Sequence, residues 1–173
     1  LECSLDLERS KVVVEVDSNG WTLEGRRYPW LETCKDRTIY YWANDAFQPV
    51  QRFTSSLSKL VPTDWGPPTF EIDGVKMLPT RQVSPYDDAR RKVALIEPGG
   101  KRVLDTCAGL GYFAAWCLEG GASEVTSYEI NPDVLWLRTL NPWSPASGPR
   151  LSVIAGDISA AIRGLADASF DAI

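Results

Sequence analysis

Three acidic residues follow strand-like apolar runs, and a pair of glycines comes soon after the first of them. Asp105 ends the run "VLD", and Gly109 and Gly111 lie just beyond it in "CAGLGYF". Because glycine permits positive φ angles and close backbone approach, this pair is typical of the turn that leads from a strand into a nucleotide-binding helix. Glu129 ends the next such run, and Asp157 follows the third. Together the glycines and carboxylates predict a nucleotide site.

Two kinds of nucleotide suit this spacing, and Asp105 separates them. The segment "GLGYFA" (109–114) fits the dinucleotide pattern G-x-G-x-x-A, and Glu129 lies where such proteins place the acid that binds a ribose. A pyrophosphate, however, needs an unobstructed helix N-terminus directly after the strand. A carboxylate at Asp105 would repel a pyrophosphate and attract an ammonium group. The sequence therefore favours a cofactor with a positively charged group, with an NAD-dependent oxidoreductase as an alternative.

Residues 84–173 alternate between strand and helix patterns. We predict strands at 102–107, 124–129, 151–156 and 170–173, with helices within 84–101 and at about 111–119, 132–140 and 157–165. Strands that alternate with helices at this interval form βαβ units with a parallel sheet. The carboxyl ends of the strands meet at one edge of such a sheet, which would bring Asp105, Glu129 and Asp157 together.

The preceding residues are rich in β-branched and aromatic side chains. The segment 11–16 followed by "DSNG" predicts a hairpin, 38–43 predicts a strand, and 69–80 predicts a second hairpin with a type I′ turn at Asp73-Gly74. Apolar residues after Pro49 fall near helical spacing and predict a short helix. We therefore expect a small β-rich domain over residues 1–83 and a Rossmann-like half-domain over residues 84–173.

Composition excludes several kinds of function. The net charge of −5 argues against a protein that grips nucleic acid through a large cationic surface. The chain has four separated cysteines and no histidine, which excludes a cysteine-histidine zinc site. The lack of histidine also leaves no partner that could activate Cys107 as a nucleophile, so we interpret Cys107 as a small packing residue. No apolar run has transmembrane length, and residues 1–15 carry charges throughout, unlike a signal peptide. We expect a cytoplasmic protein without membrane partners and with reduced thiols.

The segments "VLDTCAGLGYFA", "SYEINP" and "AGD" together resemble the class I S-adenosylmethionine-dependent methyltransferases. The signature of that family is an acid, a Gly-x-Gly turn, an acid that closes the second strand and another after the third. The resemblance covers residues 84–173 and implies a Rossmann-like sheet with S-adenosylmethionine as cofactor. It implies that Asp105 and the loop hold the methionine part, Glu129 the ribose, Ile130 one face of the adenine, and Asp157 with Ile158 the adenine amino group. The cofactor-binding residues implied are thus Asp105, Cys107, Ala108, Gly109, Gly111, Tyr112, Glu129, Ile130, Asp157 and Ile158, with Tyr86 as a further candidate for the carboxylate end.

A narrower resemblance rests on "YEINP", the "LNPWS" loop and the β-rich N-terminal unit, which look like a group of predicted archaeal methyltransferases of unassigned substrate. The same features are more distantly similar to the spermidine synthases. An aminopropyltransferase and a non-catalytic nucleotide-binding module therefore stay open as alternatives. The methyl acceptor, whether RNA, protein or a small molecule, is not indicated by the sequence.

The segment "FDAI" would begin the fourth strand of a methyltransferase sheet that has seven. We accordingly expect a fragment whose catalytic and acceptor-binding residues lie beyond Ile173, and whose exposed sheet edge would allow two copies to pair.

Overall fold

The computed structural model describes residues 1–173 and contains antiparallel sheets followed by a parallel one. The antiparallel part consists of β1 (Glu2–Cys3), β2 (Val12–Val13), β3 (Glu15–Asp17), β4 (Gly20–Leu23), β5 (Arg26–Pro29), β6 (Tyr40–Ala43), β7 (Ala46–Pro49), β8 (Gln51–Phe53), β9 (Leu57–Val61), β10 (Thr69–Ile72) and β11 (Val75–Lys76). The remainder consists of α1 (Pro85–Ala94), β12 (Arg102–Asp105), α2 (Tyr112–Glu119), β13 (Glu124–Glu129), α3 (Pro132–Leu140), β14 (Leu151–Ala155) and α4 (Ile158–Ala161), with a 3₁₀ turn at Ile162–Gly164.

The parallel sheet has the strand order β12-β13-β14, which confirms the predicted parallel α/β arrangement. Asp105 pairs in register with Ser127 on the neighbouring strand. On the other side of β12, Ala172 forms a parallel bridge with Val103, and the amide of Leu104 donates to the carbonyl of Ala172 at 2.9 Å. β12 therefore lies between β13 and the last residues of the chain, which makes its carboxyl end the point where the strand order reverses. Ligands bind at such points in open α/β sheets.

Helix-capping residues explain where the helices begin. The side chain of Ser84 accepts hydrogen bonds from the amides of Tyr86 and Asp87, and Pro85 occupies the first turn of α1. Asn131 caps α3 in the same way. Buried residues of α1, α2 and β13, including Val93, Cys117 and Val125, then form one apolar cluster between the helices and the sheet. The cluster supports β12 and β13 from one face.

A second apolar cluster joins the antiparallel strands to the helix layer. Its buried members are Val50, Leu60, Phe70, Ala89, Leu110, Tyr112, Val134 and Leu137. Beside it, the hydroxyl of Thr54 donates to the buried carboxylate of Asp133 at 2.6 Å. These contacts join residues before position 84 to residues after it. Strands and loops of the N-terminal part therefore help to build the surroundings of the parallel sheet. The division into domains at that position stays a prediction.

Three predicted elements differ in the structure. The predicted helix after Pro49 is wrong: residues there form β7, β8 and β9, because the amide of Val50 donates to Ile39 and that of Leu60 to Val50, at 2.8 and 3.0 Å. Pairing between strands thus overrides the local helical spacing. The predicted strand at 11–16 is split around the buried Val14. In the segment 170–173, only Ala172 pairs, as a bridge.

Other predictions hold. The hairpin of β10 and β11 turns at Asp73 and Gly74, which have φ angles of 49° and 80°, as a type I′ turn requires. The bounds of β13 and α3 match the predicted 124–129 and 132–140. None of the helices is long and apolar enough to cross a membrane.

Candidate functional site

A cavity of about 340 Å³ lies at the carboxyl ends of β12 and β13. It brings together the predicted residues Asp105, Cys107, Ala108, Gly109, Gly111, Tyr112 and Glu129. Asp88, Ala89 and Lys92 of α1 line a second side, and Phe70, Met77 and Leu78 from the hairpin region line a third. The glycine loop is thus enclosed by a helix and by an apolar wall that the antiparallel part of the chain supplies.

Asp105 is nearly buried at the end of β12, with 7% of its surface exposed. Its Oδ2 accepts a hydrogen bond from the hydroxyl of Ser127 at 2.9 Å, and its Oδ1 accepts one from the amide of Cys107 at 3.3 Å. Burial raises the pKa of this carboxyl above its usual range, although both hydrogen bonds oppose the rise. A cationic ligand would stabilise the charge of this carboxylate, because its positive charge replaces the stabilisation by water that burial removes.

Glu129 links the end of β13 to the glycine loop. Its Oε2 accepts a hydrogen bond from the amide of Gly109 at 2.9 Å, and its Oε1 accepts one from the amide of Asn131 at 2.9 Å. A carboxylate has about four acceptor positions, so both oxygens can still accept hydrogen bonds from ligand hydroxyls. Glu129 therefore fits the predicted ribose contact while it also holds the loop in place.

The two loop glycines are required for different reasons. Both have positive φ angles, 49° at Gly109 and 80° at Gly111. A Cβ on Gly109 would make an ordinary contact of 3.7 Å with Phe70, whereas a Cβ on Gly111 would lie 2.5 Å from Cζ of Arg138. Gly111 is therefore required by its backbone conformation and also by the guanidinium packed against it.

Arg138 is a residue of the site that sequence reasoning missed. It is 7% exposed, and its Nη2 donates to the carbonyl of Pro145 at 3.3 Å, while its Nη1 has no partner. Burial lowers the pKa of this guanidinium, and the charges of Asp105 and Glu129 raise it. A signal was available, because Arg138 follows the apolar Val134 by four residues and so lies on the buried face of α3.

Several predicted residues lie outside the cavity. Ile130 is 68% exposed, and Asp157 caps α4 by accepting a hydrogen bond from the amide of Ser159 at 2.7 Å. Ile158 follows that cap and is half-buried. None of these three lines the cavity, and their role toward an adenine stays a prediction. Tyr86 also lies elsewhere, because its ring packs against those of Trp116 and Trp143 at 5.0 and 5.3 Å between centroids.

The cysteines are all free thiols. Cys107 is exposed and lines the cavity rather than packing in the core, so the interpretation of its side chain as a packing residue is wrong. Cys117, by contrast, is buried in α2, and burial raises the pKa of its thiol to about 12. Such a thiol stays protonated at neutral pH and is a poor nucleophile.

The electrostatics of the cavity suit a cation better than a pyrophosphate. Of its charged lining residues, Asp88 and Lys92 neutralise each other in an ion pair of 2.7 Å, which leaves the carboxylates of Asp105 and Glu129 facing the cavity. The amide of Gly109 already donates to Glu129 and is not free to bind a phosphate oxygen. These residues fit a ligand such as S-adenosylmethionine, which carries sulfonium and ammonium groups beside a ribose.

Comparisons with other proteins agree with this architecture. No family model matches the chain. An uncharacterised protein of Methanocaldococcus jannaschii is 42% identical over 117 residues, which are 66% of this chain and 40% of that protein. The chain thus spans 40% of the length of the curated relative that it matches.

Solved structures share the fold. A spermidine synthase from Thermotoga maritima superposes with a TM-score of 0.55 over 78% of this chain and 52% of that one, at 15% identity. An S-adenosylmethionine-dependent methyltransferase from Mesorhizobium loti matches 42% of this chain and 34% of its own, at 23% identity and a TM-score of 0.34. At these identities the likeness concerns the fold and does not distinguish one activity from another. The chain has a Rossmann-like fold, which it shares with the spermidine synthase over 78% of its length, and the predicted resemblance is confirmed at the level of this fold.

Proposed function

We propose that the cavity binds S-adenosylmethionine and that the protein to which this chain belongs is a methyltransferase. One observation carries the proposal: Asp105 and Glu129 both face the cavity, and the amide of Gly109 is already bonded to Glu129. A cationic sulfonium nucleoside gains from this arrangement, and the pyrophosphate of NAD would be repelled by it.

The walls of the cavity support the same function. Methyl transfer from a sulfonium is an in-line displacement: the nucleophile's electron pair forms the new bond to carbon, and the pair of the broken S–C bond stays on sulfur. The protein's main task is to hold the two reactants in line and to exclude water. Phe70, Met77 and Leu78 line the same cavity as Asp105 with apolar side chains that suit this task.

The acceptor and the catalytic residues stay outside the proposal. RNA, a protein and a small molecule all remain candidate acceptors, and no residue of the cavity is assigned an acid or base role. We also continue to expect a cytoplasmic setting and pairing through the sheet edge.

Aminopropyl transfer is the second candidate, because the spermidine synthase superposes over 78% of the chain. That reaction uses a cofactor without the carboxylate and a polyamine acceptor.

Isothermal titration calorimetry on the chain tests the proposal. S-adenosylmethionine and S-adenosylhomocysteine are expected to bind, and NAD is not. Preferential binding of the decarboxylated cofactor would support aminopropyl transfer instead. Binding of NAD alone, or of no ligand in the set, would overturn the proposal.

A further inference from the structure

Arg138 forms a wall between two cavities. Its guanidinium packs against the backbone of Gly111, which lines the first cavity, but Arg138 itself does not line that cavity. Another part of the same side chain lines a second cavity of about 440 Å³, together with residues of α3, β14 and the segment 144–147. The guanidinium therefore stands directly behind the glycine loop.

Few hydrogen bonds stabilise this buried cation. Only the bond from Nη2 to the carbonyl of Pro145 is present, and Nη1 has no partner. A buried charge with so few partners is costly unless other charges compensate it. Asp105 and Glu129 line the cavity on the other side of Gly111, and their negative charges offset part of this cost, although burial still lowers the pKa of the guanidinium.

We propose that Arg138 is a positioning residue that sets the net charge of the cofactor site and so limits how strongly the site prefers S-adenosylmethionine over S-adenosylhomocysteine. The inference rests on the function proposed above. Asp105, Glu129 and Arg138 together leave one net negative charge, which matches the net positive charge of S-adenosylmethionine. The product has lost the sulfonium charge and is neutral overall, so it gains less from the site.

The consequence concerns product release. If Arg138 were neutral, the two carboxylates would be uncompensated, and the cation would be favoured over the neutral product more strongly. With an effective dielectric constant of about 20, the loss of this charge is expected to change the ratio of the two dissociation constants by about three- to tenfold. Arg138 thus keeps the affinities for S-adenosylmethionine and S-adenosylhomocysteine similar. A bound ligand of one kind can then be replaced by the other.

Calorimetry on the chain at pH 8 tests this inference with variants R138Q and R138K. R138Q is expected to raise the ratio of the dissociation constant of S-adenosylhomocysteine to that of S-adenosylmethionine by about three- to tenfold, and R138K to leave it within about twofold. R163Q removes an exposed guanidinium elsewhere in the chain and is the matched control, with no change expected.

R138M provides a second neutral variant, whose apolar side chain leaves no unpaired donor in the space that the guanidinium fills. An unchanged ratio in a folded neutral variant, or an equal change in R138K, would overturn the inference. Failure of both neutral variants to fold while R138K folds would also overturn it, in favour of a purely structural role. If the unaltered chain binds neither ligand, the proposed function fails first; if it binds both and the ratio does not move, only the role of Arg138 fails.

Discussion

The amide of Gly109 donates a hydrogen bond of 2.9 Å to Oε2 of Glu129, so the acid that ends the second parallel strand also holds the loop that follows the first. The predicted ribose ligand is thereby part of the loop's own structure. A change at Glu129 is expected to affect both the shape of the cavity and the affinity for a ligand.

Replacement of Glu129 by Ala is expected to weaken binding of S-adenosylhomocysteine by about 1–3 kcal/mol, because a charge-assisted acceptor is lost and the Gly109 amide loses its partner. Calorimetry measures the effect. The matched control is E119A, an exposed glutamate at the end of α2 that does not line the cavity. Equal affinities for E129A and the unaltered chain would show that the ribose assignment is wrong.

The two loop glycines are expected to respond differently to alanine. G111A places a Cβ 2.5 Å from Cζ of Arg138 and keeps a positive φ angle, so we expect a loss of about 2–4 kcal/mol in the free energy of unfolding. A Cβ at Gly109 would make only ordinary contacts, with Phe70 at 3.7 Å and the carbonyl oxygen of Cys107 at 3.9 Å, so G109A is expected to lose about 1 kcal/mol for its backbone conformation alone. Urea denaturation compares the two variants, and similar losses would contradict the packing of Arg138 beneath Gly111.

Replacement of Asp105 by Asn is expected to remove a pH dependence of the free energy of unfolding. Burial raises the pKa of this carboxyl, so the folded chain holds the proton to higher pH than the unfolded chain does, and stability falls as pH rises from the unfolded value of 3.8 through the raised folded value. D105N is therefore expected to lose this fall in the free energy of unfolding above pH 3.8. It is also expected to weaken binding of S-adenosylmethionine.

Urea denaturation at several pH values, paired with calorimetry, checks this prediction. D167N is the control for an exposed carboxylate that does not line the cavity. If the free energy of unfolding of D105N changes with pH in the same way as that of the unaltered chain, the burial of Asp105 as an ion is contradicted.

The contact between Thr54 and Asp133 is expected to anchor the antiparallel strands to α3. Asp133 is 1% exposed, and the hydroxyl of Thr54 donates to its Oδ2 at 2.6 Å, while Oδ1 has no hydrogen-bond partner. T54V removes the donor and is expected to lower the free energy of unfolding by about 1–3 kcal/mol. Thermal or urea denaturation measures it, with the exposed T33V as a control that should change little.

Local pattern was sufficient to predict most of the parallel part of the fold. The bounds of β13 and α3 follow from a β-branched run and from an Asn-Pro helix start, which are signals contained within a few residues. Asp105, Gly109, Gly111 and Glu129 were brought together for the same reason, since a strand followed by a tight turn places its carboxyl end at one edge of the sheet. The helix predicted after Pro49 failed because β8 and β9 pair with each other as a hairpin and β9 also pairs with β10, which helical spacing alone does not reveal.

The sequence by itself determined that a parallel α/β unit carries two carboxylates and two glycines at the ends of consecutive strands. Only the tertiary structure decided what surrounds them: the apolar wall of Phe70 and Leu78, the guanidinium of Arg138 behind Gly111, and the positions of Ile130 and Asp157 outside the cavity. Hydrogen bonds within a turn depend on neighbours in sequence, which a pattern reveals. Burial and through-space charge depend on residues that are distant in sequence and meet only when the chain packs.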